Sequence, residues 1–138
     1  MPASGEREPL GPGLSDDLQG LEVLLVEDSR DVADALKSLL ELLGANVTGP
    51  ATTTAEAEKL MDKSLPDAAL VDFHLRAGEQ SSDLIATLRQ RGVHVIALSG
   101  SFEFPPPASM AGAVMLEKPV SEAQLLARLS PIVKKTKR

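Results

Sequence analysis

Apolar residues along this chain fall into two alternating rhythms: short continuous runs, and stretches in which they recur every three or four positions. The first run is Leu21, Val23, Leu24, Leu25 and Val26; later ones are Ala45–Thr48, Ala68–Val71, Val93–Leu98 and Ala113–Leu116. Continuous apolar runs of this length predict strands buried on both faces. The helical rhythm begins at Ser29, with Val32, Ala35, Leu36, Leu39, Leu40 and Leu43 on one stripe and Gly44 where a C-terminal glycine cap belongs. Gly49-Pro50 closes the second strand. Thr53-Thr54-Ala55-Glu56 reads as a capping box opening a second helix with Ala57, Leu60 and Met61, which Leu65-Pro66-Asp67 ends. After the loop Arg76–Ser82, Leu84, Ile85 and Leu88 mark a third helix that stops at Gly92. Ser121-Glu122-Ala123-Gln124 is another capping box, and Leu125, Leu126, Leu129, Ile132 and Val133 give the last helix its apolar face.

Strand and helix thus alternate five times, with one weak unit. Parallel strands need crossover helices, and crossovers are right-handed, so a doubly wound α/β fold follows. The weak unit is Ser101–Met110, where Pro105-Pro106-Pro107 cannot lie inside a helix; the fourth helix is expected to be short or missing. Residues 1–20, rich in Pro, Gly and charge, read as a flexible leader, 21–133 as one domain, and 134–138 as a basic tail. No internal repeat and no second domain is visible.

The strand ends carry the chemistry. The first stops at adjacent acids, Glu27 and Asp28; the third at Asp72; the fourth at Ser99; and the fifth is followed by Lys118-Pro119. In open α/β sheets the ligand crevice lies outside these carboxyl ends, and paired carboxylates held there want a cation. Each residue alone has a plainer reading: acids capping a helix, a loop acid, a turn serine, a lysine lying over apolar surface. The joint pattern favours a shared pocket.

Composition narrows the function. The 138 residues are 43% hydrophobic but only 2% aromatic, so the core is aliphatic. Net charge is −6, which argues against nucleic acid as a ligand, because phosphate backbones need a basic face. The absence of cysteine excludes disulfides and thiolate metal sites and fits a cytoplasmic protein. No run reaches membrane-spanning length, no secretion signal opens the chain, and Met1 with the leader suggests a natural start. The tail Lys134-Lys135-Thr136-Lys137-Arg138 reads as a solvated helix end.

Val26-Glu27-Asp28-Ser29, Leu70-Val71-Asp72, Leu98-Ser99-Gly100 and Leu116-Glu117-Lys118-Pro119, in this order after successive strands, resemble the receiver domain of bacterial response regulators from Leu21 to Val133. The resemblance implies a flavodoxin-like sheet of strand order 2-1-3-4-5. It also implies Asp72 as phosphoacceptor, taking a phosphoryl group from a sensor histidine kinase or histidine phosphotransfer protein. Mg²⁺ would be held by Glu27, Asp28, Asp72 and the backbone carbonyl of His74, with Ser99 and Lys118 on the phosphoryl oxygens and a cis peptide at Pro119. Such a domain catalyses its own phosphorylation and slow dephosphorylation, as a switch more than a turnover enzyme. It would work as a monomer or weak homodimer, signalling to a downstream protein or acting as a relay or phosphate sink, without nucleic acid or membrane.

Three positions depart from the family pattern. Glu27 stands where Asp is commoner, and Met115 where many receivers carry Tyr or Phe, which puts in doubt output through the fourth helix and fifth strand. His74 offers either its carbonyl alone, with a solvated imidazole, or an imidazole that meets phosphate or an attacking water. His94 reads as a packed or edge residue of the fourth strand. A receiver-like scaffold that binds partners without phosphorylation is the competing reading. A haloacid dehalogenase-type phosphohydrolase is rejected, because it wants a second Asp where this chain has His74.

Overall fold

The computed structural model describes residues 17–75, 81–100 and 114–136. Five strands, β1 (Glu22–Val26), β2 (Asn46–Ala51), β3 (Ala68–Asp72), β4 (His94–Ser99) and β5 (Val114–Glu117), form one sheet of order β2-β1-β3-β4-β5. All four strand pairs are parallel. Among the described residues the helices are α1 (Arg30–Leu42), α2 (Thr54–Lys63), α3 (Ser82–Gln90) and α4 (Glu122–Thr136). This is the doubly wound, flavodoxin-like arrangement expected from the alternating pattern. Residues 1–16, Arg76–Gln80, the proline-rich unit Ser101–Met110, Ala113 and the side chains of the basic tail lie outside the described residues.

Alternation along the buried strands divides the core in two. Val23, Leu25, Ala68, Leu70, Ile96 and Leu98 point to the face covered by Leu36 and Leu40 of α1 and Leu125 and Leu129 of α4. Leu24, Val26, Ala69, Val71, Val95 and Ala97 point to the other, against Ala57 and Met61 of α2 and Leu84, Ile85 and Leu88 of α3. Both faces must be apolar because helices cover both, which is why these strands read as continuous runs.

The helix ends explain their own boundaries. Gly44 has φ 101°, and the bonds Gly44 N–H to Glu41 O and Ala45 N–H to Leu40 O close α1 in a Schellman motif. Gly92, φ 88°, ends α3 the same way, with Val93 N–H bonded to Leu88 O. Ser121 and Gln124 form a reciprocal capping box at α4. At α2, Thr53 accepts from Glu56 N–H, while the Glu56 carboxylate bonds Thr52 instead, at its N–H (2.7 Å) and hydroxyl (2.9 Å). Pro131 lies inside α4 and removes one helical donor there.

Two boundaries differ from the sequence expectation. Residues 17–20, read as the end of the leader, form a turn: Leu18 is fully buried and its N–H bonds Leu43 O at 2.8 Å. A single apolar side chain without periodic neighbours carried no sequence signal of this plug. The second strand also does not stop at Gly49-Pro50 but runs through it to Ala51, with an irregular register between Leu24 and Val26 of β1. A glycine is required there. Gly49 has φ 105°, and a Cβ would lie 2.6 Å from the Leu25 carbonyl oxygen. Gly49→Ala is expected to destabilise the domain by about 2 kcal/mol or more, read from urea denaturation; an unchanged midpoint would contradict this account.

Candidate functional site

The sheet reverses its winding between β1 and β3, and the carboxyl ends of both strands meet at that point. Register places Val26 beside Val71 and Asp72 beside Leu98, so Glu27, Asp72 and Ser99 emerge together. Glu27 N–H bonds Ala51 O at 2.9 Å, and the Glu27 carboxylate accepts from Ser29 N–H at 3.1 Å. The acid is therefore turned inward at the head of α1, only 1% exposed. Asp72 is 5% exposed and its Oδ1 accepts from His74 N–H at 3.2 Å.

Lys118 reaches this pair from the loop after β5. Its Nζ lies 3.1 Å from Glu27 Oε1 and 3.4 Å from Asp72 Oδ2. Its backbone N–H bonds Ser99 O at 2.7 Å, tying the ends of β4 and β5 together, and the Lys118-Pro119 peptide is cis. Ninety-one positions separate Lys118 from Glu27, so this contact is wholly tertiary. Single carboxylate oxygens of Glu27, Asp28 and Asp72 all lie within 4.8 Å of one another. Among the described residues these three carboxylates form a donor set of hard oxygens, which fits a small divalent cation such as Mg²⁺.

Electrostatics agree with the geometry. Burial pushes the Asp72 carboxyl up to about 6, and the neighbouring Glu27 charge adds to the rise; the Lys118 ammonium and the His74 N–H pull against it. For Lys118, burial opposes the charged form, but the hydrogen bond to Glu27 and the charges of Asp72 and Glu27 outweigh it and hold the ammonium above its usual value.

The other expected residues are placed as follows. Ser99 is buried at the end of β4, next to Asp72 in the sheet. The His74 side chain is exposed and its ring meets the Phe73 ring edge-on, centroids 4.7 Å apart. Met115 is half-buried on β5 and packs on the α2–α3 face. His94 is half-buried at the start of β4, with its N–H on Asp67 O. One buried polar residue of the site had gone unnoticed in the sequence. Ser81, at the head of α3, donates its hydroxyl to Asp72 O at 2.8 Å. It had read as one more polar residue in a loop; the only sequence signal was its place just before a helical pattern. Beside Lys118 a mainly apolar groove of about 450 Å³ runs between α1 and the Pro119 loop, lined by Asp31, Val32, Ala35, Leu36, Pro119 and Val120.

Fold and pocket together define a flavodoxin-like α/β domain with a buried acidic site at its switch point. The chain belongs to the response regulator receiver domain family, whose model matches residues 23–130. Over 117 residues, 79% of this chain, it is 32% identical to the phyllosphere-induced regulator PhyR of Methylorubrum extorquens, and it spans 42% of that protein's length. The fold is also that of the PhyR response regulator REC domain of Erythrobacter litoralis, with TM-score 0.67 and 23% identity over 90% of this chain and 94% of that one. SdrG from Sphingomonas melonis Fr1 superposes with TM-score 0.70 at 25% identity, over 88% and 98% of the two chains. No helix among the described residues is long and apolar enough to cross a membrane.

Proposed function

We propose that this domain is a phosphoacceptor: Asp72 takes a phosphoryl group from the phosphohistidine of a sensor histidine kinase or histidine phosphotransfer protein. One observation carries the reading, the Lys118 ammonium seated between the buried carboxylates of Glu27 and Asp72. An Asp72 oxygen attacks phosphorus as the N–P bond breaks, and the leaving imidazole takes up a proton. Glu27, Asp28, Asp72 and the His74 carbonyl would hold Mg²⁺, which would supply charge neutralisation on the phosphoryl oxygens. Lys118 meets the negative charge on a second oxygen, and the Ser99 hydroxyl with nearby backbone amides meets the third. His74 N–H keeps the attacking carboxylate in one pose. The groove beside Lys118 offers the donor protein an apolar landing surface next to the pocket. These reactions belong to a cytoplasmic relay or phosphate sink whose downstream partner is another protein.

Incubation with Mg²⁺ and acetyl phosphate tests the reading. The expected result is one added phosphoryl group by intact mass, dependent on Mg²⁺ and absent in Asp72→Asn. Beryllofluoride should bind under the same conditions and shift the amide resonances around Asp72. No uptake and no beryllofluoride binding would sink the proposal and leave the phosphorylation-independent scaffold as the surviving reading.

A further inference from the structure

We infer that Ser81 is a positioning residue for this pocket, its buried hydroxyl setting the pose of the peptide units that carry Asp72 and His74. The inference rests on the phosphoacceptor reading above. Ser81 is fully buried, and its Oγ donates to Asp72 O at 2.8 Å and approaches Phe73 O at 3.2 Å. A hydroxyl has one proton, so the two carbonyls share it, with Asp72 the closer. The Ser81 N–H adds a third link, to Phe73 O at 3.2 Å. Phe73 N–H is meanwhile held by Leu98 O of β4 at 2.8 Å. The segment from Asp72 to His74 is therefore clamped from both sides, and the His74 N–H that holds the Asp72 carboxylate is its last member.

What Ser81 does not do supports the same conclusion. It occupies the N-cap of α3, where serine ordinarily accepts a bond from the first turn of its own helix. Here no side-chain cap bond forms, and φ −98°, ψ 14° is not the extended geometry of such a cap. The hydroxyl is turned backward, toward the reacting strand end. Groups that hold the backbone and ligands of a metal site set affinity and rate without touching the ion.

The experiment compares the wild-type domain with Ser81→Ala, Ser81→Thr and Ser82→Ala, the last altering a half-buried neighbour on the same helix. Mg²⁺ affinity is read from amide shifts, phosphorylation from acetyl phosphate uptake at saturating Mg²⁺, and fold from the thermal midpoint. Ser81→Ala should weaken Mg²⁺ binding by about 10-fold or more and slow uptake as well. Amide exchange at His74 should rise more than in the body of α3. Ser81→Thr keeps the hydroxyl and should restore most of both properties, and Ser82→Ala should leave them unchanged. If Ser81→Ala does not fold, Ser81→Cys, close in volume but a weak donor, carries the same comparison. A lowered midpoint with wild-type Mg²⁺ affinity and uptake would overturn the inference and reduce Ser81 to a structural link. If the wild-type domain itself takes neither Mg²⁺ nor phosphoryl, the phosphoacceptor reading has failed and this inference falls with it.

Discussion

Asp72→Asn is expected to abolish phosphoryl uptake and, in the same molecule, to make the metal-free domain more stable. The first effect follows from losing the proposed nucleophile. The second follows from where the carboxylate sits. Its folded pKa of about 6 lies above the ordinary value of 3.8, so folding favours the protonated form. Stability from this group is complete below pH 3.8 and is lost as pH rises through 6. Above pH 6 the ionised carboxylate therefore costs about 3 kcal/mol at most. Asparagine removes that charge, and because it is not a perfect isostere a gain of about 1–3 kcal/mol at pH 8 is expected. Urea denaturation at pH 8 and below pH 4, without Mg²⁺, checks both halves: the gain should be present at the first pH and vanish at the second. A pH-independent difference would refute the electrostatic cause. Saturating Mg²⁺ should narrow the gap at pH 8, because only the wild type keeps the full acidic set.

Lys118→Ala should have the second largest effect, and of opposite sign on stability. It leaves Glu27, 1% exposed, beside Asp72 with no ammonium between them. Breaking a fully buried pair by removing one partner costs about 3–5 kcal/mol. The Lys118 side chain is 22% exposed, so solvent screening reduces the expected loss to about 2 kcal/mol near neutral pH. Mg²⁺ should recover part of this, since the cation answers the same charge, and so should lower pH, which neutralises Asp72. The rate of uptake from acetyl phosphate should fall by about 10²-fold or more even where Mg²⁺ has restored stability. Rates near wild type would mean that the ammonium serves the fold alone.

Both predictions describe a site in tension with stability. Two buried acids and a third, with carboxylate oxygens all within 4.8 Å of one another, are an arrangement that a protein optimised for stability alone would discard. A cation bound only by the folded state would offset their repulsion by mass action. Hydrogen bonds from the Ser81 hydroxyl to Asp72 O and from Lys118 N–H to Ser99 O link the segments that carry these charges.

The layered fold was legible in the residues because its causes are local or periodic. Continuous apolar runs at β1, β3 and β4 announce strands covered on both faces. The glycines at 44 and 92 announce helix ends, and the capping residues at Thr53 and Ser121 announce beginnings. The acids, the serine and the lysine at four strand ends could be listed from the chain, since strand ends are where such a fold binds. Other features left almost no mark. Leu18 is one leucine in a polar stretch, yet it fills the corner beside Leu43. Gly49-Pro50 looks like a terminator, and only the pairing of Ala51 with Val26 shows that the strand continues past it. Ser81 looks like loop filler.

The sequence by itself thus determined the layers, the order of strands and helices, and which residues could do chemistry. Tertiary structure alone decided how far apart those residues stand, which carboxylate shares the ammonium, and which way a buried hydroxyl turns. The reason is physical: periodicity and capping act over a few residues, whereas the charge on Asp72 depends on Glu27 and Lys118, brought beside it by parallel strand pairing across most of the chain.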